Sequence, residues 1–141
     1  MTMRIRFLCP ALALLAVPAA AWAQTPRTCE LLEASTRPGI MPATAYAAAI
    51  EGGALRRVVL TLANGQRTTT DFTPMTGGVS VRLITFPDPR DATRVTAVFN
   101  RAVVGEDGTV LVETWLRQAG EAAPAHNFYR LRCPTGGGAT K

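Results

Sequence analysis

Few side chains in this chain are equipped for chemistry. His126 is the only histidine. In a Ser-His-acid triad it would work with Ser35 or Ser80, and neither lies in a G-x-S-x-G elbow. A lone histidine at a strand start is more often a surface or structural residue. Zinc needs four N or S ligands, and one histidine with three cysteines, Cys9, Cys29 and Cys133, cannot supply them once cysteines pair. Asp71, Asp88, Asp91 and Glu113 are the acids whose type suits carboxylate hydrolysis, which needs two of them about 5–10 Å apart. Their spacing singles out no pair. Asp88 and Asp91 sit where loop acids cap turns, and their loop lacks the dense oxygen ligands of a calcium site. No glycine-rich phosphate motif precedes a helix. The sequence therefore calls for no metal and no cofactor.

Aromatic residues are the stronger lead. Phe99, Trp115, Phe128 and Tyr129 fall on segments that read as strands. Alternation puts Arg130 and Arg132 on one face with Phe128, and Tyr129, Leu131 and Cys133 on the other. Phe99, Trp115, Phe128, Arg130 and Arg132 are the candidate ligand-binding set, an arginine-rimmed apolar patch suited to an apolar or anionic ligand or a protein surface. The competing reading makes the aromatics core and the arginines solvated.

The elements that position these residues follow an export signal. The chain opens with Arg4 and Arg6, continues through the apolar run 7–21, and reaches Ala21-Trp22-Ala23, a small-x-small cleavage site. The run is too short, and too broken by Pro10 and Pro18, for a membrane anchor of about 20 residues. Cleavage after Ala23 leaves 118 of the 141 residues, with 13 basic and 10 acidic side chains. That is the size of one domain. So mild a charge, without a basic stripe, argues against nucleic acid as a partner. Cys29 and Cys133 remain, one near each end, and an exported chain with two cysteines is expected to join them. The bridge would lay the first mature segment beside the last strand.

The best-defined element is a hairpin over 94–118, turning at Gly105-Glu106-Asp107-Gly108. Valine, threonine and aromatic residues fill both arms. A two-residue turn would oppose Ala102 and Glu113, and a four-residue loop would oppose Arg101 and Val112. A three-residue loop, with Gly108 left-handed, opposes Arg101 with Glu113, Phe99 with Trp115, Val104 with Val110, Ala102 with Val112 and Val98 with Leu116. This register is preferred. One face then carries Val98, Ala102, Val104, Val110, Val112 and Leu116, with Asn100 and Thr114. The other carries Phe99, Val103, Leu111 and Trp115 around the Arg101–Glu113 pair and is expected to be covered.

Elsewhere, 28–34 reads as a helical turn or two capped by Thr28. The Ala-rich stretch 42–51 reads as a second helix stopped by Gly52-Gly53, with a strand as its rival. Leu55 opens a strand, Asn64-Gly65 turns it, and the return over 66–73 is polar enough for an edge. Another strand covers 79–86, a loop 87–91, and the last strand 126–133. The expected fold is mainly β (α+β): an antiparallel meander of about six strands curled into a small barrel or cup, with one or two short N-terminal helices. Residues 1–23 are the cleaved signal, 24–133 one β-rich domain, and 134–141 a disordered tail.

The resulting functional expectation is a periplasmic or secreted, non-enzymatic binding protein of the cell envelope, with a protein partner or a small ligand and no transmembrane segment after cleavage. The rivals are a carboxylate hydrolase of envelope polymers and a structural subunit of an envelope assembly.

Overall fold

The computed structural model describes residues 24–35 and 43–134. The proposed signal and nearly all of the glycine-rich tail lie outside the described residues. Nine strands make a single antiparallel sheet: β1 (Arg27–Ala34), β2 (Ala43–Glu51), β3 (Ala54–Leu62), β4 (Arg67–Asp71), β5 (Thr73–Pro74), β6 (Val79–Asp88), β7 (Asp91–Val104), β8 (Thr109–Arg117) and β9 (Ala125–Arg132). Their order across the sheet is β4-β3-β2-β1-β9-β8-β7-β6-β5. β4 and β5 stand at opposite ends of that order, yet only Phe72 separates them in the chain. The sheet is therefore rolled until its two edges are tethered, a nearly closed up-and-down barrel.

The central hairpin has the three-residue register. Arg101 opposes Glu113, Phe99 opposes Trp115 and Val104 opposes Val110. Gly105 N–H donates to Thr109 O (2.8 Å), and Gly108 adopts φ +80°, which a Cβ would strain. Asp107 Oδ1 accepts the Thr109 N–H (3.0 Å) and closes the turn. The inner face is the core face: Ala102, Val110, Val112 and Leu131 are all but inaccessible, and Leu55 and Val58 face them from β3.

Cys29 and Cys133 form a disulfide, with Cα atoms 4.4 Å apart. As the pairing required, β1 lies antiparallel to β9, with Glu30 opposite Arg132 and Leu31 opposite Leu131. This seam converts two consecutive meanders into one barrel.

Three expectations fail. The two N-terminal helices are strands, β1 and β2. Each hydrogen-bonds on both edges, β1 to β2 and β9, β2 to β1 and β3. Alanine favours helix, but an isolated helix of nine residues is marginal in water. Here the stretch is hydrogen-bonded along both edges, and Ala48 and Ala49, each 4 % exposed, are buried within the sheet. The strand count rises from about six to nine through β1, β2 and the short β5. Residues 87–91 are not simply a loop, since β6 continues through Pro87 to Asp88 and β7 begins at Asp91. Proline is tolerated there because it lies on an edge where no donor is needed.

Candidate functional site

The strand registers set the candidate side chains in rows. One outer row crosses four strands as Leu83, Phe99, Trp115 and His126. The next holds Val81, Arg101, Glu113 and Phe128. Phe99 and Trp115 centroids lie 5.6 Å apart, Trp115 and His126 stack at 4.9 Å, and His126 and Phe128 at 6.3 Å. Neighbouring strands are about 4.8 Å apart. Trp115 and His126 stack across that spacing, while Phe99 is tilted by 32° against Trp115.

An ionic cluster sits inside this aromatic band. Arg101 Nε donates to Glu113 Oε2 (2.9 Å), and its guanidinium carbon is 5.7 Å from the Trp115 ring centroid. His126 Nε2 lies 3.4 Å from Glu113 Oε1. The Glu113 side chain is only 14 % exposed. Its carboxylate is held between the Arg101 guanidinium and the His126 imidazole, under an aromatic rim. Leu83 is 66 % exposed and Phe99 37 %. The cover expected for this face is not supplied by any element among the described residues, and the stretch 42–51, read as a helix, is strand β2.

Phe99, Trp115 and Phe128 are thus brought together on the outside of the barrel and are not core. Arg130 and Arg132 share that outer face but reach the other way, to Glu33 (3.4 Å) and Glu30 (3.3 Å) on β1. Both ion pairs fasten the β1–β9 seam. Leu83 and His126 belong to the patch and escaped the sequence reading. Carrying the hairpin register one strand further in each direction would have found both.

A second row faces inward. Arg82, Asn100, Thr114 and Asn127 stand side by side on β6 to β9. Beyond them, away from the core, come Ile84, Val98, Leu116 and Ala125. Thr114 Oγ1 donates to Asn100 Oδ1 (2.7 Å), and Asn100 is 8 % exposed. Arg82 is half-buried and makes no side-chain hydrogen bond or ion pair among the described residues. Sequence reasoning noted Asn100 and Thr114 as interruptions of an apolar face without seeing the row they belong to.

The remaining chemical candidates are engaged elsewhere. Ser35 Oγ accepts the Phe128 N–H (2.8 Å) and pins the seam. Ser80 is fully buried on the inner face, with its hydroxyl unpaired, whereas His126 is outside. Arg57 pairs with Asp71 and holds its carboxyl below the usual carboxylate range. Asp88 and Asp91 face one another at the β6–β7 turn, where each accepts a local N–H, from Arg90 (2.8 Å) and Thr93 (3.0 Å). No group of three metal-binding side chains forms among the described residues. No described helix is long and apolar enough to cross a membrane. Comparison with family models, curated proteins and solved structures finds no match to this chain.

Proposed function

We propose that this is an exported, non-enzymatic binding protein of the cell envelope that docks a protein partner on the outer face of β6 to β9. The observation that carries the reading is the row Leu83, Phe99, Trp115 and His126, which no element among the described residues covers. Aromatic and arginine side chains set around a shielded ion pair match the composition of interface centres. Contiguous exposed apolar surface on a small protein marks an interaction site more often than not. Export to an oxidising compartment agrees with the Cys29–Cys133 bridge. The four acids considered for hydrolysis each bind an arginine or a local turn, which favours binding over catalysis.

The test is co-purification of the mature chain from envelope extract, comparing the natural sequence with Phe99→Ser, Leu83→Ser and the distant Thr69→Ser. One partner should be retained in fixed stoichiometry by the natural chain and Thr69→Ser, and lost by the other two. Equal retention by all four would refute the reading. The inward row supports a second reading, an amphipathic anion held in the barrel mouth with Arg82 at its charged end. Native mass spectrometry of protein purified from the envelope tests it: a bound small anion should appear, and vanish in Arg82→Leu.

A further inference from the structure

The barrel wall is unfinished along one strand. β6 bonds β7 along its whole length, from Val79 to Asp88, but bonds β5 only at Ser80 and Val81. β4, next along the chain, bonds β3 alone. The direction of the free backbone groups follows from two hydrogen bonds. Val104 N–H donates to Gly78 O (3.0 Å), so even-numbered residues of β6 turn toward β7. Met75 N–H donates to Val79 O (2.7 Å), so odd-numbered residues turn the other way. Past Val81, Leu83 and Thr85 therefore aim both N–H and C=O at an edge that no described strand pairs, and Pro87 aims its carbonyl there. Leu83 is 66 % and Phe86 51 % exposed along this edge. An unpaired edge with large apolar side chains and no lysine guard is a template for another strand.

We infer that this edge takes the same edge of a second copy of the chain, forming a two-fold dimer through β6. Two-fold antiparallel pairing centred on Thr85 sets Leu83 against the partner's Pro87, Ile84 against the partner's Phe86, and Arg82 against the partner's Asp88. The opposite charges thus meet directly across the ladder at both ends of the contact, an arrangement worth more than a neutral pair. Thr85 N–H and C=O bond their own counterparts reciprocally, and each Leu83 N–H meets the carbonyl of a Pro87, the one backbone group that proline offers. A two-fold centred on Leu83 is closed off, because Val81 is already paired with Thr73. Self-complementarity of charge, apolar side chains and donors is what an isologous interface requires. Arg82, which helps to lower the Asp71 carboxyl from a distance but makes no side-chain hydrogen bond or ion pair among the described residues, acquires a direct partner.

Sedimentation equilibrium of the oxidised, signal-free chain tests the dimer. The natural chain should show a concentration-dependent monomer–dimer equilibrium. Thr85→Pro removes a donor that β7 does not use, so the barrel keeps its circular dichroism while association falls about thirtyfold, for two lost hydrogen bonds. Arg82→Asp and Asp88→Arg should each weaken the dimer, and the double exchange should restore it, a rescue that damage to the fold would not give. A natural chain that stays monomeric up to about 1 mM, association untouched by Thr85→Pro, or a double exchange no better than the singles would overturn the inference. A monomer that still takes up a foreign extended peptide at β6 would assign the edge to a different partner and likewise overturn it.

Discussion

Replacing Cys29 and Cys133 together with alanine should remove a large share of the stability of this domain. The bridge closes a loop spanning 104 positions. The chain-entropy relation gives about 4.7 kcal/mol for a loop of that size, an upper figure. What remains to hold β1 on β9 is modest. The pairing is bulged between Leu31 and Glu33, and the Arg130–Glu33 and Arg132–Glu30 ion pairs are exposed, each worth about 0–1 kcal/mol. Both cysteines are also buried in the core, so alanine leaves small cavities beside Leu131 and Tyr46. A loss of about 3–5 kcal/mol is expected, against a total of about 5–15 for a domain of this kind. Urea unfolding followed by circular dichroism measures it, with the natural protein in reductant as a control expected to match the variant. With a slope of about 1–3 kcal/mol per molar urea, the midpoint should move by more than about 1 M. A loss below about 1 kcal/mol would refute the view that the bridge, and not the β1–β9 ladder, secures the seam.

Three further outcomes can be measured. Gly78 has φ +74°, and a Cβ there would lie 2.9 Å from Val104 O, whereas one at Gly77 meets nothing within 4 Å. Gly78→Ala should therefore cost more than Gly77→Ala, by about 1–3 kcal/mol in thermal unfolding. Asp107 is held below the ordinary carboxylate value by the hydroxyl and N–H of Thr109. A lowered value means that its contribution is complete above the ordinary value of 3.8 and disappears as pH falls through the folded value, so Asp107→Ala should flatten the acid limb of a stability–pH curve below about pH 4. Burial, with a smaller effect from Tyr46, pushes the Tyr129 hydroxyl upward from its ordinary 10.0. The neutral phenol thus stabilises the fold fully below pH 10.0 and progressively less above it, and Tyr129→Phe should resist alkaline unfolding that the natural chain does not.

The hairpin could be read from the sequence because opposite charges, paired aromatics and the turn glycine agree on one register. The partnership of the first and last strands was legible from two cysteines. The alanine-rich β2 was not. Its side chains say helix, and the two ladders it forms with β1 and β3, which no local pattern records, make it a strand. The candidate site was half legible. Phe99, Trp115 and Phe128 were identified by type, but which face they occupy depends on the curl of the sheet. The ion pairs of Arg130 and Arg132 with Glu33 and Glu30 were not legible, because those acids come from a segment read as a helix. The open edge of β6 is a property of how the barrel fails to close, and no local pattern records it.

Trp115 offers the most direct test of the proposed docking face. In a chain beginning at Gln24, and so lacking Trp22, it is the only tryptophan. Labelled with 5-fluorotryptophan, the mature protein gives one fluorine resonance from the centre of the aromatic row. Adding the partner purified from envelope extract should shift or broaden that resonance in proportion to the bound fraction, and Leu83→Ser should abolish the change. A resonance that stays in place while an independent measurement shows the complex fully formed would contradict the assignment of the outer face of β6 to β9.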